Sequence, residues 1–242
     1  MKKLILAFLV IATTNTHANL NSGSEVKSFD HSAWNSLLKV NVSNAGNVNY
    51  KGFQKSEAKL DAYLNSISNG SYDDKIWSKN EQLAFWINAY NAFTVKLILN
   101  NYPTKSINDI TSPWDKKFFK IGGTKMNLNQ IEHKILRVKF NEPRIHFAIV
   151  CASFSCPKLH NEAFTGKNTQ SLLASLTKGF VNDTKRNKIA ADKIQISELF
   201  NWFKGDFTKK SSLIEFLNQY SNVKINANAK VSHLPYNWSL NE

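Results

Sequence analysis

Two cysteines, Cys151 and Cys156, stand five positions apart in the stretch Arg144-Ile145-His146-Phe147-Ala148-Ile149-Val150-Cys151-Ala152-Ser153-Phe154-Ser155-Cys156-Pro157. A cysteine attacks as its thiolate, so a nucleophilic thiol needs an imidazolium or a helix N-terminus to lower its pKa. Cys151 is the first candidate nucleophile, with His146 in the same run and His133 upstream as candidate bases. Cys156, just before Pro157 and a candidate helix start, is the alternative. The pair can also close a six-residue disulfide loop, remain as two thiols, or combine one nucleophile with one bystander. The sequence leaves these readings open. It contains no Cys-x-x-Cys, so thioredoxin-like exchange has no motif. Glu132, His133, His146 and a cysteine are suitable metal ligands by type. There is no His-Glu-x-x-His and no paired ligand spacing, so neither a metal nor a cofactor is expected.

Position matters as much as residue type. The apolar run 145–151 reads as a buried central strand ending in a Ser/Cys-rich turn. In such a strand His146 and Cys151 point to opposite faces, an awkward direct pair. His133 comes from a separate helix predicted over 128–138, opened by Asn127 and Gln130 as a capping box. Ile131, Ile135 and Val138 form its expected core face, with Glu132, His133 and Arg137 beside it. Glu132 and His133 are sequence neighbours, about 100° apart round a helix, so Glu132 is not expected to orient His133 directly.

The strongest helix prediction covers 79–101. Ser78 and Glu81 form a capping box, and Pro103 stops the helix. Leu83, Trp86, Ile87, Tyr90, Thr94, Leu97 and Ile98 follow helical spacing, and Phe85, Ala89 and Phe93 add a further apolar side. That pattern predicts burial nearly all round. Asn88 and Asn91 then need buried hydrogen-bond partners. They either tie the helix to neighbouring backbone or, with one of them, line a substrate site. Arg137 and Arg144 are candidates to pair a ligand carboxylate, or simply Glu132 or Glu142. Ser153, between the two cysteines, joins the candidate substrate-binding residues.

The remaining elements are short. Helices are predicted over 31–40, 53–67, 170–180, 197–203 and 211–220. A hairpin with a Gly-Gly turn is predicted over 118–125, and extended segments over 188–194. The tail 231–241 carries His233, Tyr236 and Trp238 and is expected to be ordered. Several helices packed on a small sheet give an α+β single domain.

Residues 1–18 read as a signal peptide: Lys2 and Lys3, an apolar run from Leu4 to Ala12, and Thr16-His17-Ala18 with cleavage after Ala18. A segment over 19–46 and a domain over 47–241 follow. The expected location is periplasmic or secreted, with no transmembrane segment after cleavage. Removing Lys2 and Lys3 from 31 basic residues leaves 29 against 18 acidic, a net +11. The lysines are scattered, which fits a solvated surface or an anionic envelope component as partner. No nucleic-acid motif is present, and nucleic acid is not expected. A peptide is the other candidate partner.

Five blocks taken together carry a family resemblance: 80–92, 128–137, 144–159, 200–207 and 236–241. The first reads Asn80-Glu81-Gln82-Leu83-Ala84-Phe85-Trp86-Ile87-Asn88-Ala89-Tyr90-Asn91-Ala92 and the last Tyr236-Asn237-Trp238-Ser239-Leu240-Asn241. The chain resembles the DUF547 family, a domain named for its unknown function, over roughly 47–241. The resemblance implies export, as is common among bacterial relatives. It also points to Cys151 as the more meaningful thiol, since plant-type relatives keep a cysteine there and not at Cys156. The family pattern often has Asp where this chain has Asn237. The fold implied is similar to papain- or transglutaminase-like proteins. In papain-like proteins the nucleophile precedes its histidine. Here His133 and His146 come first, and His160 and His233 follow.

Two functions are carried forward. One is a thiol-dependent hydrolase or acyl transferase on peptide or amide substrates, with Cys151 attacking and Glu132, His133 and His146 completing the site. The other is a non-catalytic binding module with structural cysteines, in which Trp77, Trp86, Trp114, Trp202 and Trp238 line a cleft or pack the core.

Overall fold

The computed structural model describes residues 28–70 and 72–242. The signal peptide expected over 1–18 and the residues through 27 lie outside the described residues. Among the described residues, no helix is long and apolar enough to cross a membrane.

Helix α4 (Lys79–Leu99) is the axis of the molecule. Its start is the Ser78–Glu81 capping box, and residues 82–95 and 97–99 are all buried. A helix apolar on every side must be surrounded, and the other helices do this. Helix α1 (Ser32–Asn41) packs on α3 (Glu57–Asn69) through Trp34, stacked on Tyr63 at 5.8 Å. The helix predicted over 53–67 is two helices, α2 (Tyr50–Lys55) and α3, broken at Ser56. Helix α6 (Thr169–Val181) covers another side of α4.

The predicted hairpin is β1 (Phe119–Ile121) and β2 (Thr124–Met126), antiparallel with Ile121 opposite Thr124. Gly122 and Gly123 both take positive φ, as the twisted two-residue turn requires. A second sheet has the order β3 (Lys188–Ile189), β4 (Lys193–Ser197), β5 (Lys230–Leu234). Strands β3 and β4 are antiparallel, and β4 and β5 are parallel. Helices and two small sheets around one core make an α+β fold.

Two further elements differ from expectation, and both bear on the site. The run 145–151 is not a strand. Pro143 at the first helical position and Glu142, accepting the Arg144 N–H, start a 3₁₀ turn over Pro143–Phe147. A short apolar run has no period to separate buried strand from buried helix, and here the local cap decides. With no strand, His146 and Cys151 are no longer fixed on opposite faces. No helix starts at Pro157 either; the next one is α6.

The second difference is the helix over 128–138. Its middle, Gln130–Leu136, is π-wound, and α5 (Arg137–Phe140) continues it. The Arg137 N–H bonds to the Glu132 carbonyl, five residues back. Asn127 and Gln130 cap the start as expected. The wider turn rotates the buried face to Ile131, Glu132, Leu136 and Phe140. Ile135 is only half-buried and Val138 is exposed. Bulges of this kind recur at functional sites.

After β5 the chain runs back across the molecule. It bonds to the 105–106 loop (Leu240 N–H to the Lys105 carbonyl, 3.0 Å) and to the cysteine turn (Phe154 N–H to the Ser239 carbonyl, 2.7 Å). Bridges Ser106↔Ser239 and Ser153↔Leu240 fix its register.

Candidate active site

A cavity of about 230 Å³ opens between the π-wound helix, the cysteine turn, α7 (Leu199–Trp202) and the tail. Its walls include Glu132, His133, His146, Cys151 and Cys156, so the fold brings the candidate catalytic residues together. Tyr90 reaches it from α4, and Trp114, Trp202, Tyr236 and Trp238 form its aromatic side.

Both cysteines are free thiols. Cys156 is buried and Cys151 is half-buried. The Cys151 N–H donates to the Cys156 sulfur at 2.9 Å. The Cys151 sulfur lies 3.2 Å from the Tyr236 hydroxyl and 3.2 Å from the Ser153 hydroxyl. Ser153 donates to Tyr236 at 3.0 Å, which leaves the Tyr236 proton free to point at sulfur. A thiolate that accepts several hydrogen bonds is stabilised over its thiol. Hydrogen bonding from the Cys156 thiol holds Cys151 below the ordinary thiol range; burial opposes this, and Ser153 and Tyr236 reinforce it. Burial and the neighbouring Cys151 push the Cys156 thiol up. The first ionisation of the pair therefore belongs to Cys151.

The turn that presents Cys151 is held by side chains from two sides. Asn91 on α4 donates to the Ala148 carbonyl at 2.9 Å and accepts the Val150 N–H at 3.0 Å. Its amide does for this segment what a neighbouring strand would have done. Ala152 takes φ +58, the left-handed region, immediately after Cys151. Arg186 donates to the Cys156 carbonyl at 3.0 Å and also to the Phe154 carbonyl.

Glu132 points into the core from the π-wound segment and accepts the Tyr90 hydroxyl at 3.1 Å. Burial, against the Tyr90 hydrogen bond, lifts its pKa to about 7. Its charged form is thus balanced against its neutral form near neutrality. His133 accepts from the Arg137 guanidinium on Nδ1 at 3.0 Å, which fixes the neutral tautomer with hydrogen on Nε2. Burial, then the Arg137 charge, lowers its pKa. His146 bonds through Nε2 to Asp206 at 2.8 Å, and its ring stacks on Phe203 at 3.9 Å. Burial lowers the His146 pKa despite the Asp206 partner. Burial of Asp206 opposes its ionisation, but hydrogen bonds from His146 and Arg137 hold its carboxyl well below the usual carboxylate range. One network therefore runs His133–Arg137–Asp206–His146, with its two imidazoles on the cavity wall.

The other sequence candidates are placed elsewhere. Asn88 is spent on the Phe164 backbone, donating at 2.8 Å and accepting at 3.0 Å. Arg144 forms a bidentate pair with Glu142 and also donates to Gln170. Arg137 serves Asp206 and His133 rather than Glu132 or Glu142. Trp77 and Trp86 are buried with Phe85 in the core, whereas Trp114, Trp202 and Trp238 face the cavity.

Sequence reasoning missed Asp206, Tyr90 and the contact of Tyr236 with sulfur. Asp206 and Tyr236 sit inside the quoted blocks, which was the available signal. Among the described residues no cluster of three or more histidine, cysteine and carboxylate side chains could hold a metal ion. Comparison with curated proteins and with solved structures gives no match. Residues 75–181 match the family model described as "Protein of unknown function, DUF547", and over that span the chain is similar to the DUF547 family.

Proposed function

We propose that the protein is a thiol-dependent hydrolase or acyl transferase acting on peptide or amide substrates. The carrying observation is the Cys151 sulfur. It stands on the cavity wall with the Tyr236 and Ser153 hydroxyls each at 3.2 Å, and buried Glu132 lines the same cavity. Cys151 is the proposed nucleophile, activated by hydroxyl and thiol donors in place of an imidazolium. Glu132 is the proposed acid and base, with a pKa of about 7 suited to either task.

The Cys151 thiolate attacks the substrate carbonyl carbon, forming a C–S bond and a tetrahedral oxyanion. As the oxyanion collapses, the C–N bond breaks and the leaving amine takes a proton from neutral Glu132. The resulting Glu132 carboxylate then accepts a proton from water, which attacks the thioester. The acid leaves, and the Cys151 thiolate is restored. An amine in place of water gives transfer. His133 and His146 are positioning residues in this scheme, each neutral and tied to the Arg137–Asp206 pair.

A binding module is the second reading. It is favoured by one observation: among the described residues, the hydrogen-bond partners of the two sulfurs include no imidazole. Incubation with an amide or active-ester substrate, followed by intact mass spectrometry, separates the two. A hydroxylamine-labile acyl adduct on Cys151, absent from Cys151→Ala, supports the enzyme. Alkylation of Cys151 by iodoacetamide without any acyl adduct leaves the binding module. Export is part of the proposal and rests on residues 1–18; the mature chain recovered from periplasm should begin at Asn19.

A further inference from the structure

Tyr236 belongs to two groups at once. Its hydroxyl is 3.2 Å from the Cys151 sulfur, and its ring packs against Trp238 at 4.5 Å and Trp202 at 4.8 Å. Trp202 stacks on Trp238 at 5.7 Å with 22° between planes, and Trp114 meets Trp238 edge-on at 5.9 Å. The four rings form a continuous shelf that ends at the thiol. Trp202 is 48% exposed, an uncovered aromatic at the mouth of the cavity. An exposed tryptophan in a concave wall is a ready contact surface for a ligand. The shelf residues themselves carry no charge. Two guanidiniums close to the cavity are already engaged: Arg137 is paired with Asp206 and lies over Phe203, and Arg186 pairs with Asp183 and donates to the Cys156 and Phe154 carbonyls.

We infer that the shelf selects the acyl side of the substrate, and that the preferred acyl group is uncharged and aromatic or branched aliphatic. The inference deepens the thiol acyl-transfer reading and rests on it. Three observations set the class. The volume of about 230 Å³ is below the usual range for a whole small ligand, so it holds one side chain or acyl group next to the reacting carbonyl. The aromatic walls reward apolar area removed from water. A charged group laid on them would lose its hydration and find no partner on the shelf.

The test uses p-nitrophenyl esters that differ only in acyl group: 3-phenylpropanoyl, 4-methylpentanoyl, acetyl, succinyl and 4-aminobutanoyl. In each, the thiolate attacks the ester carbonyl, the C–O bond breaks, and p-nitrophenolate leaves with the electron pair. Acylation rates of Cys151 are read by intact mass and by p-nitrophenolate release. Each protein's rates are divided by its own iodoacetamide rate, which reports the thiol without the shelf. The two apolar esters should acylate at least about tenfold faster than the two charged ones and faster than acetyl. Trp202→Ala, with its fold checked by circular dichroism, should shrink that preference to within about threefold. Equal rates across the panel, or faster reaction of a charged ester, overturn the shelf inference and leave the thiol enzyme standing. No acyl adduct from any ester, with iodoacetamide still reacting, removes the acyl-transfer reading and the inference with it.

Discussion

The chemistry of Cys151 depends on donors that are individually replaceable. Tyr236→Phe deletes one hydroxyl from the sulfur and keeps the ring in its stack. A hydrogen bond to a charged group contributes about 1.5–3 kcal/mol, and one pKa unit is about 1.4 kcal/mol. The alkylation midpoint of Cys151 should therefore rise by about one to two units. Cys156→Ser should raise it less, since the serine hydroxyl can still donate.

Glu132 allows a separate check through stability. Its folded pKa of about 7 lies above the ordinary 4.5, so the folded state holds the proton more tightly than the unfolded chain. That contribution is fully present below about pH 4.5 and is lost as pH rises through about 7. Across that window Glu132 should cost the wild type up to about 3 kcal/mol relative to Glu132→Gln. Urea denaturation at pH 4.5 and pH 8 measures the difference. A difference between the two proteins that stays constant with pH would show that Glu132 is solvated.

At the scale of elements, α4 and the cysteine turn are joined through Asn91. Asn91→Ala strands the Ala148 carbonyl and the Val150 N–H, at about 1–3 kcal/mol each. Asn88→Ala strands the Phe164 backbone in the same way. Both variants should lose about 2–5 kcal/mol in denaturant titration, and only Asn91→Ala should change Cys151 alkylation. Equal alkylation in the two variants would mean that the turn holds its shape without the amide. Ala152→Gly removes a left-handed conformation costing an alanine about 1–2 kcal/mol but adds freedom to the unfolded chain, so its net effect should be a small gain below about 1 kcal/mol.

This is also the scale at which the sequence was most and least legible. The Ser78–Glu81 box, the Asn127–Gln130 box and the Gly122-Gly123 turn are local signals, and each appears where it was expected. The run 145–151 is apolar throughout, so it carries no period, and the cap at Glu142–Pro143 made it a 3₁₀ turn. The π winding over Gln130–Leu136 has no such signature in residue type, yet it turns Glu132 inward and Val138 out. The cluster of Cys151, Glu132, His133 and His146 was expected from residue type. Its arrangement was not, because it depends on these two backbone choices.

Across the whole molecule, the tail completes the site. Tyr236 stands 85 residues from Cys151 in sequence and meets it only because β5 pairs in parallel with β4 and the chain then crosses to the cysteine turn. No local pattern encodes that contact. The tail also hydrogen-bonds Val48, Lys105, Ala152, Phe154 and Ser155. Deletion of residues 236–242 should therefore lower stability by several kcal/mol, on the order of one for each hydrogen bond lost, and raise the alkylation midpoint of Cys151 at least as much as Tyr236→Phe does. Thermal unfolding and alkylation kinetics on the truncated chain measure the two effects separately. Unchanged kinetics would assign the sulfur's environment to Ser153 and Cys156 alone.

Activation of the Cys151 thiol is read most directly from the pH dependence of its alkylation in the folded protein, by peptide mass spectrometry after brief iodoacetamide exposure. The proposed activation gives rapid labelling of Cys151 with a midpoint well below the ordinary thiol value of about 8.5, and Cys156 unlabelled until denaturation. A midpoint at or above that value, or a Cys151–Cys156 disulfide in the folded protein, would contradict it.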